Sequence, residues 1–190
     1  MRDALEAARA LVKMLEEEEK KEKVELGSMK PGEVFKVGKY EFIVLEHMSE
    51  GTAVISKGLM ANDKKFDSDT RDYNKSSLKK LIEKDIQPVI EDVLGTDSLV
   101  EHEVDLTSVD MQNEYGTCRC KVRPITFDEA RKYNDLLVNK ELPDWWWTCT
   151  PWSTEERGWK WSMSVVSPSG YIDYDDYDCD NGVRPFCILK

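Results

Sequence analysis

All six tryptophans of this chain lie within one short stretch, between Trp145 and Trp161. A buried indole removes about 150–250 Å² of surface from water, so this stretch can supply much of a domain core or the anchors of a binding face. Because side chains alternate along a strand, Trp146 is predicted to point opposite to Trp145 and Trp147. The segment from Asp144 to Lys190 therefore organises the predicted fold.

The C-terminal segment is predicted to consist of strands joined by turns. Apolar, aromatic and β-branched residues dominate 145–150, 159–167 and 183–190, while Pro168–Gly170 has the composition of a turn. The intervening run YIDYDDYD (Tyr171–Asp178) is predicted to be a further strand. No repeat of twenty to fifty residues is present.

The first residues form a separate unit, 1–27, ahead of a domain predicted at 28–190. Apolar residues recur at helical spacing in Met1–Lys23, before the charged run EEEEKKEK. Two interpretations stay open for this helix: it packs on its own domain, or it forms a short self-associating seam that makes the protein a homo-oligomer. Gly27 and the pair Pro31-Gly32 mark the boundary.

The middle of the chain mixes strands and helices. An antiparallel meander is predicted from Val34 to Ser56, with Phe42 and Val44 on one face and Ile43 and Leu45 on the other. Asn62–Asn74 is polar and predicts a loop, and Asp110–Gly116 predicts another. The segment Leu99–Leu106 alternates loosely, as a strand does.

Two helix starts carry capping signals. Ser76 or Ser77 precedes an apolar helical period that runs to Gly95, and Pro88 inside it predicts two short helices or a break just before the proline. Thr126 and Glu129 have the spacing of a capping box, which predicts a helix ending around Asn139.

Composition narrows the possible partners. The formal net charge is −11 and the isoelectric point is near 4.8, which argues against a nucleic-acid or anionic-membrane surface because such partners need clustered lysine and arginine. No signal peptide and no apolar run near the ~18 residues of a membrane span are visible. The sequence thus predicts cytoplasmic synthesis without membrane insertion, compatible with a component of a phage particle.

The five cysteines predict reduced thiols rather than a metal or catalytic site. Cys118 and Cys120 form a C-x-C pair without the second pair that a structural zinc needs, and neither His47 nor His102 has a matching partner in the sequence. No motif links a histidine base to a cysteine nucleophile. We therefore predict no enzymatic activity, no cofactor and no metal.

Four short motifs together resemble the C-type-lectin-like fold of bacterial and phage proteins. They are KPGEVFKVGKYEFIVLEH (Lys30–His47), WWWTCTPW (Trp145–Trp152), VVSPSG (Val165–Gly170) and GVRPFCIL (Gly182–Leu189). The resemblance covers roughly Met29 to Lys190. It implies an α+β fold of the C-type-lectin-like type, with antiparallel strands, about two to three helices and much irregular structure behind an N-terminal helix.

The resemblance also implies a function. The group includes formylglycine-generating-enzyme-like oxidoreductases, which use a pair of active cysteines, and the variable proteins of diversity-generating retroelements in phages and prophages. A variable protein carries its ligand-binding face between the tryptophan block and the closing strand. Mutation of its adenine-containing codons yields residues such as Tyr, Asp, Asn, Ser and Gly but never Trp, Lys, Glu, Gln or Met, and Ser167–Pro185 fits that set, with Arg184 ambiguous.

The aspartate-rich run leaves three interpretations open. It can be a solvated hairpin, a calcium site of a type other than the EF-hand, or a glycosidase carboxylate pair. Tyrosine offers contact area at low entropic cost, so an aromatic and acidic recognition face for a protein or cell-surface ligand is our preferred interpretation. The predicted ligand-binding residues are Trp152, Trp159, Trp161, Tyr171, Asp173, Tyr174, Asp175, Asp176, Tyr177, Asp178, Asp180 and Asn181. The alternatives are a formylglycine-generating-type oxidoreductase, with Cys179 and Cys187 near the expected end, and a fixed-ligand lectin-like module.

Overall fold

The computed structural model describes Arg9 and residues 26–190. Apart from Arg9, the helix predicted for Met1–Lys23 and its oligomeric seam lie outside the described residues. A short 3-10 turn, Leu26–Ser28, precedes the first strand. The described chain is a mixed α+β fold with three sheets, as the sequence predicts at this coarse level.

The first sheet joins the start of the domain to its end. Its strands are β1 Val34–Val37, β2 Tyr40–His47, β3 Thr52–Ser56, β7 Val122–Arg123 and β12 Phe186–Leu189. They run in the order β1-β2-β3-β12-β7. The predicted meander is confirmed by strands β1, β2 and β3, and the last strand, β12, pairs with β3 on one side and with β7 on the other.

The second sheet carries most of the tryptophan-rich segment. Its strands are β4 Ala61–Lys64, β8 Trp146–Pro151, β9 Ser162–Val166, β10 Ile172–Asp176 and β11 Asn181–Val183. They run in the order β10-β9-β8-β11-β4, with one parallel pair, β11 with β8, and with β10 and β4 at the edges.

The loop predicted for Asn62–Asn74 is wrong at its start, which belongs to β4. This edge strand pairs with β11 through its backbone, so its side chains, ANDK, need not be apolar. The same stretch also contributes Phe66 and Tyr73 to the core and buries Arg71. Polar composition thus concealed both a strand and three buried side chains.

A separate ribbon consists of β5 (His102–Asp105) and β6 (Thr117–Cys120). The strand expected within Leu99–Leu106 is therefore confirmed, and Val104 lies opposite Cys118. The loop between these strands includes the predicted loop Asp110–Gly116 and contacts the tryptophan-rich segment.

The first helical segment continues through the expected break. Helix α1 (Ser77–Leu81), a π-helical segment (Ile82–Ile86) and helix α2 (Gln87–Leu94) follow one another directly. The two short helices that Pro88 predicted are confirmed as α1 and α2. The alternative of a break just before Pro88 is wrong, because the π turn joins the two helices without interruption: the amide of Gln87 donates to the carbonyl of Ile82. Ser76 caps α1 by accepting from the amide of Lys79, as expected.

Two shorter helices follow. Helix α3 (Phe127–Lys132) begins with the predicted capping box, in which Thr126 and Glu129 each bond the other's backbone amide. Helix α4 (Asn134–Leu137) ends two residues before Asn139. Among the described residues, no helix combines the length and apolar character needed to cross a membrane.

Both faces of the central strands are buried, which explains the three consecutive tryptophans. Trp146 and Trp147 are each fully buried, in different clusters, and Trp145 is partly buried beside the cluster of Trp147. The predicted opposite orientation of Trp146 is thus confirmed, as are the two faces predicted for β2. The first cluster lies against α1 and α2, and the second lies against α3 and α4.

Arg184, in the motif GVRPFCIL, is a buried cation that connects β3 with α4. Its Nε donates to the carbonyl of Ser56 at 2.6 Å, and its Nη1 donates to that of Leu137 at 2.7 Å. The guanidinium lies 5.1 Å from the ring centroid of Trp146. Burial lowers the pKa of Arg184 to about 10.

Candidate functional site

Four aromatic rings form a continuous surface, which we call the aromatic face: Phe127, Trp152, Tyr174 and Trp159. The ring centroids of Trp152 and Tyr174 are 5.2 Å apart, and those of Trp159 and Tyr174 are 5.3 Å apart. Phe127 meets Trp152 edge-on at 6.4 Å. Three predicted ligand-binding residues therefore lie together, and Phe127 joins them without having been predicted.

The aromatic face is accessible. Trp159 is 47% exposed and Trp161, two residues further along the same loop, is 50% exposed. Nζ of Lys160 lies 4.7 Å from the ring centroid of Trp161, so this indole already holds a cation on its face. Exposed indoles in this number are unusual on a protein surface and are typical of interaction sites.

A buried arginine fixes the loop that carries these tryptophans, Ser153–Trp161. Nη1 of Arg71 donates to the carbonyl oxygens of Ser153, at 2.7 Å, and Trp159, at 2.6 Å. These two carbonyls lie near opposite ends of the loop. Arg71 thereby closes the loop from beneath, and hydrogen bonds to a charged donor are stronger than neutral ones.

Asp110 anchors the same loop from the side. Its carboxylate accepts from the hydroxyls of Ser108 and Ser153, both at 2.6 Å, and lies 3.8 Å from Nε of Arg157. Burial raises the pKa of Asp110, but the two hydroxyl bonds and the charge of Arg157 outweigh it, and the net shift is downward. Asp110 is therefore held as a carboxylate, the form that accepts these bonds.

A buried hydroxyl cluster supports the strands beneath the aromatic face. The pairing of β8 with β9 shifts by two residues between Trp147 and Pro151, which leaves backbone groups without ladder partners. The hydroxyls of Thr148 and Ser164 bond one another, and Ser164 also donates to the carbonyl of Thr150 at 2.9 Å. Side-chain hydroxyls therefore replace part of the backbone hydrogen bonding between β8 and β9.

The predicted aspartates separate into two groups. Asp173 and Asp175 each accept a hydrogen bond at 2.9 Å from the amide of the following residue, Tyr174 and Asp176, on the edge strand β10. Asp175 also accepts from Nδ2 of Asn181 at 2.8 Å. These two carboxylates therefore have structural partners.

The other three aspartates, Asp176, Asp178 and Asp180, are exposed. None of the five forms an ion pair with another described residue. Within residues 26–190, no group of three or more histidine, cysteine, aspartate or glutamate side chains is arranged to hold a metal ion. The exposed aspartates form an acidic border next to the tryptophan loop, since the amide of Tyr177 donates to the carbonyl of Trp161 at 2.8 Å.

Three predicted residues take other positions. Tyr171 is exposed but lies at the far end of β10, where it meets Trp145 at 6.1 Å rather than the aromatic face. Tyr177 is partly buried against the core. Asn181 is buried, and Gly182 beside it is closely packed, because an added Cβ would lie 2.4 Å from Cδ1 of Leu59 and 3.0 Å from the carbonyl oxygen of Trp145.

The cysteines are all free thiols. Cys187 is buried within the first sheet, and burial raises its pKa to about 12. Burial and the hydrogen bond to Asp175 raise the pKa of Cys179, in the turn after β10, to about 11. Neither thiol has the lowered pKa that marks a reactive cysteine.

Sequence reasoning missed Arg71, Asp110 and Phe127. Phe127 could have been suspected from its place at the start of a capped helix near the tryptophan block. Arg71 and Asp110 lie within polar stretches that carry no local signal of their role.

Comparisons of the chain with protein-family models, with curated proteins and with solved structures find no match. The geometry of the aromatic face and its border is thus what bears on function.

Proposed function

We propose that this protein is a non-enzymatic binding protein that presents the aromatic face and its acidic border to a protein or cell-surface ligand. One observation carries the proposal: Trp159 and Trp161 are half exposed on a loop that buried Arg71 holds at two carbonyls. Tryptophan and tyrosine dominate binding hot spots, and a loop fixed before binding loses less entropy when the ligand arrives.

The specific form that we propose is a C-type-lectin-like variable protein of a diversity-generating retroelement. Two features support this assignment. The last strand, β12, pairs with β3, and the exposed tryptophans Trp159 and Trp161 lie on a loop. Trp146, Trp147 and Arg184, from the motifs that carry the resemblance, are buried and support the surface from beneath. Asp176, Asp178 and Asp180, whose codons such a system can vary, are exposed.

The alternative of a cysteine-dependent oxidoreductase is disfavoured by the thiols. Cys179 and Cys187 lie in different layers, on the turn after β10 and in β12, and their pKa values are raised to about 11 and about 12. A thiol of that pKa is almost wholly protonated near pH 7 and is a poor nucleophile.

Sequencing of the gene and its flanks across the source population tests the variable-protein assignment. We expect substitutions concentrated in the codons of exposed residues from Tyr171 to Asp180, at positions that match adenines in a nearby near-copy. Codons of Trp146, Trp147 and Gly182 should stay constant. A uniform gene without a near-copy would remove this assignment and leave a fixed-ligand module.

Binding itself is tested with fluorescently labelled full-length protein on cells from the source community. We expect the double variant Trp159→Ala/Trp161→Ala to lose at least about tenfold in retention, as removal of hot-spot residues does. The matched control is Met48→Ala/Val93→Ala, which removes two other exposed apolar side chains. Equal retention of both variants would show that the aromatic face is not the binding surface.

A further inference from the structure

A pocket lies next to the aromatic face. Five segments enclose it: β5, the loop that follows β5, Arg123 of β7, α3 with its cap Thr126, and Thr150 of β8. Its volume is about 350 Å³, within the ~300–1,000 Å³ range of small-ligand pockets. Phe127 lines this pocket and also contacts Trp152, so the pocket and the aromatic face share one ring.

Ion pairs within the lining cancel part of its charge. Arg123, at the inner wall, holds Glu129 through two bonds of 2.6 Å. Arg131, at the rim, lies 3.8 Å from Asp128. Both cations of the lining are therefore already paired.

The remaining charges of the lining are two carboxylates. Glu103 and Asp105 lie two residues apart on β5, and so on the same side of the strand, where both are exposed. Oδ1 of Asp105 accepts from the amide and the hydroxyl of Thr107, at 2.8 and 2.6 Å, but neither Glu103 nor Asp105 forms an ion pair with another described residue. The pocket thus has a negative balance that a cationic group complements.

The backbone at the start of α3 gives little attraction to an anion. The amides of Thr126 and Glu129 are bonded within the capping box, at 2.7 and 3.1 Å. The amide of Phe127 donates to Oγ1 of Thr150 at 2.9 Å. These donors are satisfied by the chain itself, so the negative charges of Glu103 and Asp105, which have no cationic partner among the described residues, determine which ligand charge is favoured.

The outer wall is apolar and strained. Val109 and Met111 line the pocket, and Met111 is 79% exposed with a φ of 68°, a conformation that residues other than glycine rarely adopt. The amide of Met111 donates to the carbonyl of Ser108 at 2.9 Å, which keeps the strained turn closed. Strain of this kind persists where the surrounding structure enforces it, and it is concentrated at ligand sites.

We propose that this pocket binds the side chain of a lysine or arginine from a partner protein. Met111 and Val109 pack against the alkyl stem, and Glu103 and Asp105 pair with the cationic head. A side chain with a long apolar stem and a charged tip matches both parts of the lining. The site lies outside the predicted ligand-binding residues and does not depend on the aromatic face binding a ligand.

The probe that tests the proposal is L-argininamide, added to the full-length protein and followed by NMR shifts of assigned backbone amides. We expect saturable shifts at Glu103–Asp105, 107–111 and 126–131. The matched control is L-citrullinamide, which keeps the shape of the side chain and removes its charge. We expect L-citrullinamide to bind at least about threefold more weakly than L-argininamide, because an exposed ion pair contributes binding energy on that scale.

Variants then assign the charge preference to the pocket. Glu103→Gln/Asp105→Asn should weaken L-argininamide about three- to tenfold. The control Asp92→Asn/Asp97→Asn makes the same change of net charge at exposed residues outside the pocket lining and should leave binding unchanged.

Three results would overturn the proposal: no shifts in the lining, equal binding of L-citrullinamide, or equal effects of the two double variants. The first two need no variant, so a folding defect cannot hide them. If L-argininamide fails but the labelled protein still depends on Trp159 and Trp161 for cell binding, the pocket proposal falls and the proposed function stands.

Discussion

Arg71 donates to the carbonyl oxygen of Trp159 at 2.6 Å, across 88 positions of the sequence. The same Nη1 donates to Ser153 at 2.7 Å, and the side chain is almost fully buried. One cation from a polar stretch thereby shapes the loop that presents two exposed indoles.

The substitution Arg71→Met is expected to loosen this loop. It removes two charge-assisted bonds and leaves two carbonyls without a donor, so we expect a loss of about 2–4 kcal/mol in the free energy of unfolding. Amide hydrogen exchange in Ser153–Trp161 should accelerate at least about tenfold more than exchange in β8 and β9. The control Arg119→Met removes an exposed arginine that pairs with Glu101, and it should change stability by less than about 1 kcal/mol.

The exposed indoles should respond to the charge of a fluorescence quencher. Asp176, Asp178 and Asp180 border the loop of Trp159 and Trp161, and the charge of Lys160 beside Trp161 is offset by its ion pair with Glu155 at 3.9 Å. Caesium should therefore be enriched there and iodide depleted. After normalisation to N-acetyltryptophanamide, we expect the quenching constant of caesium to exceed that of iodide about twofold or more at low salt. The difference should shrink towards 1 M salt, where the Debye length is about 3 Å.

Replacing both indoles tests the origin of that signal. Trp159→Phe/Trp161→Phe should abolish the caesium preference while changing stability by less than about 1 kcal/mol, because both side chains are half exposed. A preference that survives in this variant would place the accessible fluorescence in Trp145 or Trp152 instead.

Local signals in the sequence predicted local structure well. The capping box of Thr126 and Glu129 depends on residues three positions apart, and the structure has it. The opposite orientations of Trp146 and Trp147 follow from strand geometry alone, and the two clusters confirm them. In both cases the determining contacts involve neighbours in the chain.

Local sequence signals did not predict the long-range contacts. Strand β4 forms because its backbone pairs with that of β11, and the polar sequence of β4, ANDK (Ala61–Lys64), does not indicate that pairing. The role of Arg71 depends on a loop more than eighty positions away. Asp173 and Asp175 were predicted as ligand-binding residues, but only the sheet order reveals that β10 is an edge strand where these carboxylates accept hydrogen bonds from backbone amides.

Asp173 and Asp175 are expected to prevent the edge strand β10 from pairing with a second chain. Because each satisfies the next amide of β10, Asp173→Ala/Asp175→Ala exposes two unpaired donors that can pair with a second chain. Sedimentation velocity should show a concentration-dependent increase in association.

The control for the edge is Asp178→Ala/Asp180→Ala, which makes the same charge change at exposed positions and should sediment as the wild type does. Asp175 also holds Asn181, so the single variant Asp173→Ala separates edge exposure from any loss of stability. Equal association of the two double variants would attribute the effect to net charge.

The buried pair of Arg123 and Glu129 should make stability depend on pH. Burial raises the pKa of Glu129, but the charge and hydrogen bonds of Arg123 outweigh it and bring the pKa below the ordinary 4.5. A carboxyl with a lowered pKa in the folded state contributes stability that is fully present above its unfolded pKa. That contribution is lost as the pH falls from about 4.5 through the lower folded value.

Urea unfolding of the wild type and of Glu129→Gln between pH 7 and pH 3 measures this contribution. At pH 7 we expect the variant to lose about 3–5 kcal/mol, because Arg123 is left buried without a counter-charge. The difference should narrow as the pH falls below 4.5, since protonation of Glu129 imitates the substitution. Asp128→Asn, at an exposed position of the same helix, should keep the wild-type pH profile within about 1 kcal/mol. A constant difference between Glu129→Gln and the wild type across this range would mean that Glu129 stabilises the fold through shape and neutral hydrogen bonds rather than through its charge.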